Sequence, residues 1–355
     1  MNTQNNPQLS FQKKWANKKQ DLQPKSISIS SQELVDITYP QLGTTFPLVI
    51  RPQFPNLNLQ VWAQNNQKLI EKNVLKYGGI LFRDFDVNAP SDFEQFVNCI
   101  CPQLMHYLEG ATPRTKLSDK IYTSTEFPQE HSIALHNELS YVVTWPMKIW
   151  FCCIQPATQQ GETPIADMRK VFQKISPQIQ QHFIEKKWML VRNFSDEFGL
   201  SWQKSFGTND RASVENYCRH SHIEIEWKDN NSLRTHQIRP AVEKHPITKE
   251  MVWFNHIVFW HVLSVLSHCR ERFLSEFSEA DLPYNTYYGD GTPIENSVLA
   301  EIRQAYQQET IVFPWQKGDI LMLDNMLIAH GRNSYSGPRT VLTAMGEPFT
   351  RNLDS

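Results

Sequence analysis

Hydrophobic and polar positions alternate between two periods along the chain. Short, nearly continuous apolar runs at Ile80-Leu81-Phe82 and from Lys148 to Ile154 read as buried strands, and a further strand is expected near Phe46–Ile50. Between these runs, apolar residues recur at helical spacing from about Val61 to Lys76. A second helix is expected to open at Ser91, where Ser91-x-x-Glu94 has the spacing of a capping box. Ser176-Pro177 opens another that runs to about Lys186, with serine as the cap and proline in the first turn. Helices interspersed with strands predict a mixed α+β architecture.

Two regions depart from this rhythm. Residues 1 to about 30 are polar, with paired lysines and a serine-rich stretch, and are expected to form a flexible N-terminal arm. From Asn193 to Arg239 the chain is rich in Trp, His and Arg but poor in long apolar runs, and an insertion over the mouth of the core is expected, extending over about 193–300. The remainder, 31–355, is expected to be one domain, because 40% apolar residues supply a substantial core.

Charge and cysteine usage narrow the partners. A formal net charge of −2 without a basic block provides no electrostatic reason to expect nucleic acid or an anionic membrane surface. No apolar run approaches the roughly 18 residues a membrane span needs, and the N-terminus has neither a cationic start nor an apolar core of a signal peptide. Cys99, Cys101, Cys152, Cys153, Cys218 and Cys269 contain no CxxC pair, and on a strand Cys152 and Cys153 would point to opposite faces. Reduced thiols and a cytoplasmic location are expected.

The candidate chemistry lies in His136-Asn137-Glu138 and, far along the chain, in His330 and Arg339. On an extended segment, residues i and i+2 face the same side, so His136 and Glu138 can present two ligands together. Alone, His-x-Glu is a common surface tripeptide. The run Ile320–Ala329 leading into His330-Gly331 adds a histidine at the end of an apolar strand. Two imidazoles and one carboxylate form a facial triad that leaves coordination positions open, a set associated with non-haem Fe(II) oxygenases. Beyond the turn residues Ser336-Gly337-Pro338, Arg339 starts a returning strand, where its planar fork suits a carboxylate. Other histidine groupings have blander readings. His256, His261 and His268 suit one face of a helix with Val258, Val262, Val265 and Leu266 buried, and His220-x-His222 lies in the variable insertion without a matching carboxylate.

With these residues in place, the chain resembles the taurine dioxygenase (TauD/TfdA) family of iron- and 2-oxoglutarate-dependent oxygenases, in its syringomycin-hydroxylase and clavaminate-synthase-like branch. The resemblance begins at Tyr77–Phe85 and runs to Met345. It implies a double-stranded β-helix (jelly-roll) core with flanking helices and a lid. It makes His136, Glu138 and His330 the Fe(II) ligands, Thr163 of Gly161-Glu162-Thr163 a partner of 2-oxoglutarate, and Arg339 the partner of that acid's distal carboxylate. Trp253-Phe254-Asn255, Tyr287–Gly291 and Asp324-Asn325 match segments that shape the substrate side.

Many relatives carry aspartate where this chain has Glu138; the clavaminate-synthase-like branch is similar in using glutamate. A carboxylate at this position also separates the chain from halogenating relatives, which have a small residue there. The implied reaction consumes O2 and 2-oxoglutarate, releases succinate and CO2, and hydroxylates an unactivated C–H. The expected substrate is a small secondary-metabolite intermediate, such as an amino-acid-derived or alkaloid toxin precursor. A carrier-protein-bound aminoacyl group and a taurine-type catabolic substrate are the alternatives.

Overall fold

A computed structural model describes residues 33–38, 47–101, 103–105, 115, 117, 118, 120–125, 127–195, 200–229, 231–264, 270, 271 and 275–352. The expected arm at 1–30, and Phe46, Val265, Leu266, His268 and Cys269, lie outside these residues.

The longest strand, Thr144–Gln155, extends beyond the predicted 148–154 at both ends because it is paired along both edges. It sits inside a sheet with the order Val35–Thr38, Leu48–Pro52, Gly79–Phe82, Ile320–Asp324, Thr144–Gln155, Thr340–Thr350, Tyr122–Thr123. Pairing is antiparallel except between Leu48–Pro52 and Gly79–Phe82. Both faces are covered, so alternate residues enter two different cores. Ile149, Phe151 and Cys153 face one apolar cluster, whereas Trp150 and Cys152 face another with Phe93, Phe96 and Val97 of the helix Pro90–Ile100. The two adjacent cysteines thus point to opposite faces, and among the described residues all cysteines are free.

The first cluster is shared with a second, four-stranded sheet in the order Thr310–Ile311, Ile165–Asp167, Ile328–Arg332, Ile133–His136, all antiparallel. Ile165, Ala166, Ile328 and Ala329 bury against the inward residues of the large sheet. A third sheet combines Ile223–Trp227, Leu233–Arg239, Trp188–Phe194 and Tyr284–Tyr288. The segment expected as an insertion, about 193–300, supplies three of those strands, Ile223–Trp227, Leu233–Arg239 and Tyr284–Tyr288, and the helix Arg211–His220, with an apolar cluster at Phe194, Trp202, Val214, Cys218, Ile223 and Leu233.

Three local expectations are corrected. The helix expected over 61–76 is two helices, Leu59–Asn65 and Gln67–Tyr77, broken at Asn66, whose side-chain amide donates to Trp62 O at 2.8 Å and competes with the backbone ladder. The next helix begins at Pro90 rather than at a Ser91–Glu94 box. The carboxylate of Asp92 accepts from the backbone N–H groups of Asn88 and Ala89, both at 2.9 Å, while Glu94 accepts from Ser118 Oγ. Of the helix expected to carry three histidines on one face, the described part is a single turn, Ile257–Trp260, followed by a 3-10 turn at Val262–Ser264, and His268 lies outside the described residues. Its ladder stops because the strand Tyr284–Tyr288 takes the backbone groups instead. Asn285 Oδ1 accepts from Val262 N at 3.1 Å and Thr286 Oγ1 donates to Ile257 O at 3.0 Å. Among the described residues, no helix is long and apolar enough to cross a membrane.

Candidate metal centre

The two histidines meet because of strand register. In the pair Ile328–Arg332/Ile133–His136, His330 stands directly opposite His136, so both side chains leave the same face of the sheet and their ring centroids lie 4.6 Å apart. The ladder shifts register between His330 and Arg332, at Gly331. A Cβ at Gly331 would lie 2.6 Å from Ile133 O, so only glycine lets the two strands approach this closely.

Glu138 sits two residues past the strand end, in a turn, and reaches the same point. One ligand atom from each of His136, Glu138 and His330 lies within 4.8 Å of the others, and His330 Nε2 is 3.9 Å from Glu138 Oε2. His330 and Glu138 are 4% and 5% exposed; His136 is half-buried. His136 Nδ1 lies 2.9 Å from Ala134 O, where it donates its proton and leaves Nε2 with the lone pair a metal needs. Two nitrogen donors and a carboxylate oxygen on one face fit an octahedral ion, whose neighbouring ligands sit about 3 Å apart for bonds of about 2.1 Å.

The turn that carries Glu138 is held by a residue expected to shape the substrate side. Asn325 Oδ1 accepts from Glu138 N at 2.8 Å, and its amide donates to Glu138 O and Pro146 O, both at 2.9 Å. Asn137, directed away from the cluster, donates to Asn325 O at 2.7 Å. The neighbouring Asp324 accepts from Met326 N and Leu327 N and lies 3.0 Å from His245 Nε2. The Asp324-Asn325 pair therefore braces the ligand turn. The visible signal was two polar residues inside a buried apolar stretch, since such groups persist only with partners.

Trp253-Phe254-Asn255 and Tyr287–Gly291 are also supports. Asn255 bridges Ala241 O and Ile257 N, and a Cβ at Gly289 would lie 2.2 Å from Lys186 O. His220 and His222 are exposed, away from the cluster. His256, whose ring nitrogen lies 2.6 Å from Ser140 Oγ, was not singled out as a site residue, yet its ring centroid is 5.5 Å from that of His136. Burial, and then the nearby His136, hold its pKa well below the usual imidazole value.

On one side of the triad opens a cleft lined by Thr163, Phe151, Ser124, Arg332 and Arg339 along with His136 and His330. Thr163 Oγ1 is buried and accepts from Trp315 Nε1 at 3.2 Å. Arg339 donates through Nε to Gly161 O at 2.8 Å and approaches Ser124 Oγ at 3.4 Å, with no carboxylate among these partners. Burial, then Arg332, pushes its pKa down to about 10, which leaves it charged at neutral pH. Arg332 is engaged differently: it donates to the backbone carbonyls of Phe127, Pro128 and His131, stapling that loop to the ligand strand.

A metal triad beside a cleft that holds a guanidinium is the arrangement of a non-haem iron oxygenase that takes an acidic co-substrate. The taurine catabolism dioxygenase TauD, TfdA family matches residues 42–345, and the chain belongs to it: it is an iron- and 2-oxoglutarate-dependent dioxygenase. The chain is 37% identical over 279 residues to the dapdiamide synthesis protein DdaC of Enterobacter agglomerans, covering 79% of this chain and 85% of the relative. A clavaminate synthase-like protein of Arabidopsis thaliana is 26% identical over 318 residues, covering 84% and 93%. The crystal structure of PvcB from Pseudomonas aeruginosa shares the fold with a TM-score of 0.52 at 15% identity, over 91% of this chain and 93% of that one.

Proposed function

We propose that the protein hydroxylates an unactivated carbon of a small natural-product intermediate, with His136, Glu138 and His330 holding Fe(II) and with Thr163 and Arg339 receiving 2-oxoglutarate. The observation that carries this reading is the convergence of three ligand atoms within 4.8 Å beside the arginine-lined cleft. When bound, iron and 2-oxoglutarate supply the oxidising chemistry, with O2 consumed and succinate and CO2 released. The chain fixes the geometry. Register holds the two imidazoles, the Asn325 brace holds the backbone of the turn that carries Glu138, and Arg339 offers its remaining N–H donors to the distal carboxylate of the co-substrate. Glu138 occupies the position that a halide would need, which favours hydroxylation. The two facing sheets, with His136 and His330 on paired strands, are read as a jelly roll, and about 193–300 as its covering insertion. The biosynthetic assignment draws on the name of the relative from dapdiamide synthesis.

The test is anaerobic loading with Fe(II) and 2-oxoglutarate, followed by O2 and measurement of succinate. A charge-transfer absorbance that needs both components, lost in His330→Ala, is expected. Succinate release coupled to amino-acid-derived intermediates supports the biosynthetic reading; coupling to taurine alone replaces it with a catabolic one. Coupling only when the aminoacyl group is on a carrier protein selects the tethered alternative.

A further inference from the structure

The turn that carries Glu138 is strained, and it is gripped at both ends. Leu139, next in the chain, sits at a φ of 56°, in the left-handed region that a leucine keeps only where its surroundings impose it. Within the turn, Ser140 N donates to Asn137 O at 3.3 Å and Val142 N to Leu139 O at 3.1 Å, both long bonds. Asn325 holds the front of the turn, at Glu138. At its far end, the carbonyl of Tyr141 accepts from two side chains of the third sheet, Gln237 Nε2 at 3.2 Å and Arg239 Nε at 3.1 Å. These two residues are two apart on the strand Leu233–Arg239 and so leave the same face of it.

Arg239 is 1% exposed, and its planar fork bridges three pieces of chain. Besides Tyr141 O, it donates through Nη2 to Ser221 O at 2.8 Å, and through Nη1 to Ile238 O at 2.9 Å and His222 O at 3.4 Å. Ser221 and His222 lie directly beyond the helix Arg211–His220, where the last carbonyls carry the negative end of the helix dipole. A buried cation is stabilised there, and the same group reaches a carbonyl three residues past Glu138. Tyr141 also extends the hold towards a second ligand. Its ring centroid lies 5.0 Å from that of His256, edge to face, and the His256 ring lies 5.5 Å from that of His136.

We propose that Arg239 is a positioning residue for the metal centre: through Tyr141 O it fixes the end of the ligand turn that Asn325 does not hold, so that the third sheet sets where the Glu138 carboxylate stands. This role rests on the reading of the triad as the iron site. The shape of the guanidinium matters more here than its charge. A lysine would keep a cation beyond the helix end, but its single nitrogen cannot reproduce the fork that spans Tyr141 O and Ser221 O.

The experiment is a Co(II) titration of the full chain, followed by the visible absorption of the bound ion, in the unmodified protein and in Arg239→Lys, Gln237→Met and Leu233→Ala. The last variant loosens the apolar packing of the same strand and leaves both donors to Tyr141 O in place. Spectra are compared at saturating Co(II), where the molecules that contribute are folded and a lower stability alone leaves the bands unmoved. Arg239→Lys is expected to bind Co(II) about tenfold more weakly and to shift the bands. Gln237→Met should shift them in the same direction by less, and Leu233→Ala should lower the denaturation midpoint while keeping the unmodified spectrum. Unmoved bands in Arg239→Lys overturn the positioning role, and so does a Leu233→Ala variant whose bands shift as far. If Arg239→Lys does not fold, Gln237→Met decides: shifted bands support the hold on Tyr141 O, and unmoved bands overturn it. An unmodified protein that binds no Co(II) overturns the iron reading and the positioning role together, whereas tight binding with unmoved bands in the variants overturns the positioning role alone.

Discussion

At the scale of single residues, Arg339 and Asn325 divide the work of the cleft. Arg339→Ala removes the proposed charge-assisted pair to the co-substrate and is expected to raise the KM for 2-oxoglutarate about 100-fold while leaving Co(II) affinity, measured by calorimetry, close to that of the unmodified protein. The charged guanidinium is the binding form, and burial lowers its pKa to about 10. Grip is therefore present at neutral pH and lost as pH rises through about 10; kcat/KM for 2-oxoglutarate should fall there and stay flat between pH 7 and 9. Asn325→Ala frees the Glu138 turn and leaves buried backbone groups unpaired, so metal affinity should drop by about 10–100-fold, a change visible in Co(II) titration. A variant binding Co(II) as tightly as the unmodified protein would remove Asn325 from any positioning role. The candidate ligands were legible because an i, i+2 pair and an apolar run into a histidine are local patterns, although that run is two strands, Ile320–Asp324 and Ile328–Arg332, with a turn between them and His330 in the middle of the second. The Asn325 brace was not, because it joins positions 187 residues apart and appears only when two turns meet.

At the scale of elements, the Gly331 bulge sets how closely the two ligand strands approach. Gly331→Ala places a methyl group 2.6 Å from Ile133 O, and the strands must part. A loss of about 1–3 kcal/mol in chemical denaturation, with weakened Co(II) binding, is expected; unchanged binding would mean that register alone secures the imidazole pair. Strand existence was readable at Ile80–Phe82 and within Thr144–Gln155, where buried runs leave no alternative to pairing. Boundaries were not. The break at Asn66 and the early end of the Ile257–Trp260 turn depend on which nearby polar group captures the backbone, and at Ile257–Trp260 that group belongs to a strand distant in sequence.

For the whole molecule, composition bounded size and partners, but the order of strands in the sheets could not be read, since each neighbour is chosen by contacts across long loops. One such contact is the buried pair Arg83–Asp319, which ties the end of Gly79–Phe82 to the turn before Ile320–Asp324 through hydrogen bonds of 3.0 and 2.6 Å. Asp319 is 0% exposed and burial raises its pKa, so Arg83→Met would strand a carboxylate and cost about 3–5 kcal/mol. Denaturant midpoints should show that loss, and Arg83→Met combined with Asp319→Leu should recover most of it; no recovery would mean that Arg83 acts mainly through Pro314 O. The pairing of His136 with His330 also has a consequence for biosynthesis on the ribosome. The two imidazoles are 194 residues apart in the chain, so a nascent product acquires the complete pocket only once the strands that carry both have been made and paired.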